Sequence, residues 1–189
     1  MDSRQEVTLN LASLLKRDVT AGDEVEASGQ LMPTQELLDA DGLRLEEPLS
    51  WELSVRATGE DEFLVMGSVE GTAVQECRRC LTDVETEIYA ELIYPMAYRP
   101  GKSKLELVEV GEDDEELLVF GKPEVDFAEL LTQVAAIDLP LTALCQAACR
   151  GLSLDGVNLN EYPDHEDRTE RADDPAQRSP FAVLKDLDL

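Results

Sequence analysis

Four cysteines are the residues of this sequence whose types and spacing could support chemistry. They occur as two pairs, Cys77 with Cys80 and Cys145 with Cys149. A Cys-x-x-Cys turn can present two thiolates to one zinc ion, and a structural zinc site takes four ligands. The second pair could complete the set, since residues four apart share one face of a helix, which Gly151 could cap. The four cysteines therefore form a candidate zinc site.

The long interval between the two cysteine pairs leaves other interpretations open. Residues 81–144 separate them, whereas the pairs of a zinc ribbon are usually about 15 to 20 residues apart. A reduced, half-buried turn without metal fits the first pair equally well. A thioredoxin-like redox pair fits less well, because that motif belongs to an α/β unit and Cys77 and Cys80 lie between predicted strands. Zinc is thus the one cofactor that the sequence suggests, and it does not require one.

Arg78 and Arg79 lie inside the first cysteine turn and form a local positive spot in an acidic chain. Such a pair could bind a carboxylate or an RNA phosphate of a partner. The alternative is pairing with the neighbouring carboxylates of Glu76, Asp83 or Glu85 on the protein surface.

The charge of the chain favours a basic partner. Its formal net charge is −26, from 42 acidic and 16 basic residues, which opposes extensive contact with a phosphate backbone. The same charge would attract a basic protein over roughly a Debye length, about 8 Å at physiological salt. Solubility alone could also explain it. Direct RNA binding stays open as an alternative, and its candidate residues are Arg78, Arg79, Arg99, Lys102 and Lys104.

No constellation of residues in the sequence predicts an enzyme. The one histidine, His165, lies in a charged segment that is predicted to be flexible, where a catalytic base could not hold its geometry. The phosphate-binding loop, nucleophile elbow and dinucleotide fingerprint motifs are all missing. The sequence therefore predicts a non-enzymatic protein.

The elements that would position the cysteines are mainly strands. Short apolar alternations punctuated by glycine, between Glu24 and Tyr94, predict an antiparallel sheet. The first cysteine pair falls between the strand candidates at 68–74 and 84–94, so it should lie at a hairpin turn. Residues 117–120 predict one more strand, and 7–9 a short one.

Two helices are predicted. Asn10 could cap the first, which would place Leu11, Leu14 and Leu15 on one face and end near Gly22. The second would follow Asp126 and place four apolar residues on one face: Phe127, Leu130, Leu131 and Val134. The predicted fold is α+β, a curved antiparallel sheet that could be barrel-like, packed by one or two helices.

The predicted organisation is one domain over residues 1–159 and an acidic, largely flexible tail over 160–189. The tail would end in a short docking helix that starts at Pro180 and carries Phe181 and Leu184 toward a partner. No stretch has the length of a membrane span, and the N-terminus lacks the pattern of a signal peptide. A cytoplasmic location is therefore expected.

Three regions together resemble the YceD family, which is linked to accumulation of large-subunit ribosomal RNA. They are Glu76-Cys77-Arg78-Arg79-Cys80-Leu81, the stretch from Leu139-Pro140-Leu141 to Leu159-Asn160, and Pro180-Phe181-Ala182-Val183-Leu184. The chain differs from many members, which have further cysteines where it has residues 153–156 and 162–165. Asp155 or His165 could replace them, although a mixed site would hold zinc less securely than thiolates.

The resemblance implies a role in biogenesis of the large ribosomal subunit and implies no enzymatic activity. Together with the charge, it predicts an assembly factor that binds a basic ribosomal protein or a precursor particle. The alternatives are a zinc- or redox-responsive cysteine module and a direct RNA-binding protein.

Overall fold

The computed structural model describes residues 7–16, 20–111 and 115–165, and most of the ordered secondary structure is strand. The strands are β1 (Thr8–Asn10), β2 (Glu24–Leu31), β3 (Leu49–Gly59), β4 (Glu62–Glu76), β5 (Asp83–Tyr98), β6 (Glu106–Val110), β7 (Glu115–Phe120) and β8 (Glu124–Asp126). The helices of this described part are α1 (Gln35–Asp41) and α2 (Ala128–Asp138). The predicted α+β class is confirmed. Neither helix has the length and apolar character needed to cross a membrane.

Six strands form one sheet in the order β2-β3-β4-β5-β7-β6, and β1 pairs with β8 in a separate two-stranded ribbon. The pairs are antiparallel, as predicted, except that β5 and β7 run parallel where Met96 faces Leu118 and Tyr98 faces Phe120. The sheet is therefore mixed. Among the described residues β2 and β6 remain its two edges, so the sheet does not close into a barrel.

The central strands separate an apolar inner face from a polar outer face. Along β3 the inner residues Leu49, Trp51, Leu53 and Val55 are all buried, and they alternate with outward residues such as Ser50 and Glu52. This alternation arises because successive side chains of a strand point to opposite faces. The inner face joins one core cluster with α2 and the N-terminal segment, while the outer face of β2 to β5 is open to solvent.

Helix α2 covers the inner face of the sheet as predicted. The carboxylate of Asp126 accepts a hydrogen bond of 2.9 Å from the backbone amide of Ala128, which satisfies one free donor at the start of the helix. Leu130, Leu131 and Val134 are buried on one side of the helix. The predicted apolar face is confirmed, whereas the N-cap position is Phe127 and the predicted cap, Asp126, lies one residue before it.

The predicted N-terminal helix is wrong. Described residues 11–16 form turns rather than a helix, because the backbone amide of Leu11 donates instead to the carbonyl of Pro123 at 2.7 Å. Leu11 and Leu14 are nevertheless buried in the core, so the apolar spacing reflected burial rather than helical structure. Helix α1 was missed because none of its residues is buried, which leaves no apolar periodicity to detect.

Gly67 of β4 lies against the backbone of β3, with no room for a side chain. A Cβ atom at this position would lie 2.2 Å from the backbone oxygen of Glu52 and 2.7 Å from the side chain of Leu53. We expect Gly67→Ala to lower the free energy of unfolding by about 3 kcal/mol, since the strand backbones must separate to admit a methyl group. Urea denaturation measures the change. The neighbouring Ser68→Ala is the control, and an equal effect of the two substitutions would contradict the prediction.

Candidate metal centre

The β4–β5 hairpin carries the first cysteine pair at its tip, as predicted. Its turn is closed by two backbone hydrogen bonds, from the amide of Cys77 to the carbonyl of Thr82 at 2.8 Å and from the amide of Leu81 to the carbonyl of Cys77 at 2.9 Å. Leu81 has φ of 60°, a left-handed conformation that residues other than glycine rarely adopt. Cys77 and Cys80 are 0% and 4% exposed, so the tight turn encloses both thiols.

The chain that follows α2 returns to this tip and packs along the turn; we call residues 140–152 the returning segment. The backbone amide of Arg78 donates to the carbonyl of Ala143 at 3.0 Å, and the guanidinium of Arg78 donates to the carbonyl of Leu141 at 3.2 Å. The side chain of Gln75 donates to the carbonyl of Pro140 at 3.2 Å. These contacts hold the start of the returning segment beside the hairpin and bring Cys145 to the turn.

A second group of contacts places Cys149. The guanidinium of Arg79 donates to the carbonyl of Cys149 at 2.9 Å, and the carbonyl of Arg79 accepts a hydrogen bond of 3.0 Å from the amide of Leu152. Between them, Gly151 has φ of 81°, and a Cβ there would lie 3.1 Å from the carbonyl oxygen of Arg79. Glycine therefore suits both the backbone turn and the close approach at this position.

The two segments bring all four cysteine sulfurs together. The sulfurs lie within 4.8 Å of one another, with Cys77 and Cys149 separated by 3.8 Å and Cys80 and Cys145 by 3.6 Å. Four sulfurs at the usual zinc–sulfur distance of about 2.3 Å form a tetrahedron whose edges measure roughly 3.8 Å. The four cysteines are free thiols, and their separations are far longer than a disulfide bond of about 2.05 Å.

Hydrogen bonds to the sulfurs favour thiolate at two of the cysteines. Backbone amides of Cys145, Arg79 and Cys80 point at the sulfur of Cys77 and lower its pKa to about 6. The pKa of Cys149 is lowered chiefly by the side-chain amide of Asn160. By contrast, burial of the Cys145 sulfur among the other three raises the pKa of that thiol to about 12. A bound dication would remove the proton of Cys145, because coordination deprotonates a thiol.

Comparison with known proteins identifies the family of this chain. The family described as large ribosomal RNA subunit accumulation protein YceD matches residues 65–188, well over half of the sequence. The chain belongs to the YceD family. The matched range includes all four cysteines, the β4–β5 hairpin that presents the first pair and the returning segment that presents the second.

Mycobacterial relatives of this YceD protein are described as uncharacterised proteins. A protein of Mycobacterium leprae is 32% identical over 119 residues, which are 62% of this chain and 52% of the relative. Proteins of Mycobacterium bovis and Mycobacterium tuberculosis are each 30% identical over 118 residues, covering 62% of this chain and 54% of the relative. The chain thus spans about half the length of these relatives. No solved structure matches it.

The structure corrects how the YceD cysteines are held. The predicted helix carrying Cys145 and Cys149 is absent, since described residues 141–150 form turns and bends, and the amide of Cys149 donates to the carbonyl of Gln146 at 3.0 Å. Backbone contacts with the hairpin, rather than a shared helical face, bring these sulfurs to Cys77 and Cys80.

The two arginines of the turn lie where they can support the cysteine centre. Both are exposed, yet their guanidinium groups donate to backbone carbonyls of the returning segment. Among the described residues neither forms an ion pair with Glu76, Asp83 or Glu85 as expected, and the carboxylate of Asp83 pairs with Arg44 at 3.0 Å instead. Partner binding through Arg78 and Arg79 remains a prediction.

The other predicted site residues lie apart from the sulfurs or beyond the described chain. Asp155 and His165 bind each other, with 2.9 Å between His165 Nε2 and a carboxylate oxygen of Asp155, and neither belongs to the four-sulfur cluster. Phe181 and Leu184 lie outside the described residues, as does most of the predicted tail. The first residues of that tail, 160–165, form turns, and Asn160 contacts the sulfur of Cys149.

Asn160 belongs to the site, although the sequence did not single it out as a candidate. Its side-chain nitrogen lies 3.2 Å from the sulfur of Cys149, and its side-chain oxygen accepts hydrogen bonds from the amide of Arg150 at 2.9 Å and from Gln146 at 3.2 Å. Asn160 therefore fixes the loop around Cys149. Its place in a Gly-Val-Asn-Leu-Asn stretch soon after the second cysteine pair was the one signal available, since turns favour asparagine.

Proposed function

We propose that this protein is a non-enzymatic factor in biogenesis of the large ribosomal subunit, and that it binds a basic ribosomal protein or a precursor particle. The family match over residues 65–188 carries the proposal, because the family description names accumulation of large-subunit ribosomal RNA. The net charge of −26 supports a basic partner over bare RNA.

One zinc ion held by Cys77, Cys80, Cys145 and Cys149 fits this role. The sulfur separations of 3.6 and 3.8 Å fit a tetrahedral site, and the hydrogen bonds to Cys77 and Cys149 would stabilise bound thiolates. Four protein ligands leave no open coordination position for a substrate, which is typical of structural rather than catalytic zinc. In this proposal the ion joins the returning segment to the hairpin tip and does no chemistry.

Asn160 should strengthen zinc binding without touching the ion. We expect Asn160→Ala to weaken zinc affinity by about 10-fold to 100-fold, because Cys149 loses the donor that stabilises its thiolate. Competition with a chromophoric chelator measures the affinity. Gln146→Ala is the matched control, since Gln146 contacts Asn160 but not the sulfur. Equal zinc affinity in the Asn160→Ala and Gln146→Ala variants would contradict this role of Asn160.

Co-purification tests the proposed function. A tagged copy isolated from growing cells at moderate salt should recover large-subunit proteins or subunit precursors. Depletion of the protein should lower large-subunit ribosomal RNA relative to small-subunit RNA. Recovery of neither ribosomal proteins nor precursors, together with an unchanged RNA ratio, would overturn the proposal.

A zinc- or redox-responsive module is the second candidate. Cys145 is exposed, in contrast to its three buried partners, which favours this candidate because an oxidant can reach that edge of the cluster once a bound metal holds the sulfur as thiolate. This candidate predicts that mild oxidation releases zinc and abolishes partner recovery, and that thiol reduction restores both. Partner recovery that persists unchanged after zinc release would exclude it.

Direct RNA binding is less well supported by the fold. Its five candidate residues fall into two groups, with Arg78 and Arg79 before β5 and Arg99, Lys102 and Lys104 after it. β5 has 16 residues and so separates the groups by roughly 50 Å at about 3.3 Å per residue. One continuous basic patch is therefore not formed. RNA affinity that falls steeply with salt would revive this alternative.

A further inference from the structure

The outer face of strands β2 to β5 concentrates negative charge in a regular pattern. In the strand register Ser28 faces Glu52, Glu52 faces Ser68 and Ser68 faces Glu91. Neighbouring strands lie about 4.8 Å apart, so the carboxylates of this row alternate with serines at intervals of roughly 10 Å. Glu26 and Glu70 add carboxylates in the adjoining rows, and Glu87 adds one in the row beyond Glu70.

In the described part of the chain, no cation pairs with these carboxylates. We call the surface formed by Glu26, Glu52, Glu70, Glu87 and Glu91 the acidic face. None of the five forms an ion pair with any side chain in the described ranges, whereas the nearby Arg56 is already paired with Glu24 at 3.2 Å. The unbalanced charge is therefore available to a ligand from outside the described chain.

The acidic face is indented rather than flat. A cavity of about 570 Å³ lies over Ser28, Ser54 and Ser68, with Glu26 and Glu91 among its lining residues. Two further hollows, of about 300 and 500 Å³, lie beside it over the same sheet face. Because small side chains occupy the centre, long side chains of a ligand can lie across the strands and reach the carboxylates.

Apolar groups border the charges. Tyr89 and Ile93 on β5 are 61% and 66% exposed, and Met66 faces Ile93 in the register. The hydrocarbon stems of lysine and arginine pack well on such groups while their charged ends remain in water. Tyr89 also offers an aromatic face to a cation. The combination suits basic side chains better than a small metal ion.

We propose that the acidic face is the docking surface for a lysine- and arginine-rich segment of a protein partner. This inference rests on the proposed function, and it assigns partner binding to the sheet rather than to the cysteine centre. Charge complementarity favours a basic protein segment over other ligands of this face. The face would repel a nucleic-acid phosphate backbone, and a second copy of the same face would repel it equally.

Charge neutralisation at matched positions tests the docking surface. The face variant combines Glu26→Gln, Glu52→Gln and Glu91→Gln. The control variant combines Glu36→Gln, Glu60→Gln and Glu109→Gln, three exposed carboxylates elsewhere in the fold. Both variants change net charge equally, so a difference between them reports position. With a fluorescein-labelled nonalysine peptide at low salt, we expect at least tenfold weaker binding by the face variant and less than threefold weaker binding by the control.

The same two variants separate this inference from the proposed function. In pull-downs from cells, the unmodified protein and the control variant should recover the same ribosomal proteins, and the folded face variant should lose them. If all three proteins recover them equally, or bind the peptide equally, the docking surface is wrong and the proposed function stands. If the unmodified protein recovers none and its depletion leaves the RNA ratio unchanged, the proposed function fails, and the peptide titration still decides whether the face binds basic segments. Thermal melts establish that both variants are folded.

Discussion

The Cys77→Ser variant is expected to lose its zinc and a large part of its stability. Cys77 is 0% exposed, and its sulfur lies 3.8 Å from that of Cys149. Because the binding energy of a structural zinc ion is folding energy, we expect the free energy of unfolding to fall by about 3 kcal/mol or more. Metal analysis should show about one zinc ion per chain before the substitution and almost none after it. Urea denaturation measures the stability.

Two further variants distinguish zinc from packing as the source of this effect. Cys145→His keeps a zinc ligand at the exposed corner of the site, so it should retain metal and most of the stability. Replacing all four cysteines with serine should release the segment around residues 141–152 and raise its hydrogen exchange. A quadruple variant with unchanged stability and hydrogen exchange would show that metal has no structural role.

Phe120→Ala should be the most destabilising substitution far from the cysteines. Phe120 is 1% exposed, and its ring lies 5.6 Å from each of the rings of Phe63 and Tyr98. We expect a loss of about 3 to 5 kcal/mol, because the substitution removes a buried ring and leaves a cavity that β7 and its neighbours cannot fill.

Leu107→Ala on the adjacent strand β6 is the control for Phe120. Leu107 is 47% exposed, and its truncation should change the free energy of unfolding by less than about 1 kcal/mol. Urea denaturation measures both changes, as midpoints at constant slope. Comparable losses of unfolding free energy from the two substitutions would show that Phe120 is not packed as described.

The sequence predicted the first cysteine pair well because its setting is local. Alternating apolar residues on both sides identify two strands, and a tight turn between them puts Cys77 and Cys80 at a hairpin tip. The approach of Cys145 and Cys149 depends instead on backbone hydrogen bonds such as that between Arg78 and Ala143. Contacts between segments far apart in the chain leave no periodic pattern, so the sequence suggested this partnership only as one possibility.

The helices were predicted only where an apolar stripe faces the core. Leu130, Leu131 and Val134 of α2 are buried and gave a clear pattern, whereas α1 has no fully buried residue and only packs the partly buried Leu38 against the core. Near the N-terminus Leu11 and Leu14 mimicked the helical pattern while lying in turns. The net charge likewise predicted a basic partner, but only the strand register shows that unbalanced carboxylates gather on one face.

Because β1 pairs with β8, the first described strand can form its pairing only after the last described strand has been synthesised. Thr8 pairs with Asp126, so the first strand has no partner until more than a hundred further residues have been made. At about 10 residues per second this wait lasts roughly ten seconds. Throughout that interval Val7 and Leu9, both buried in the finished protein, lack the ribbon that shelters them. The segment that carries β1 is thus apolar surface that the nascent chain cannot bury in this ribbon until β8 has been made.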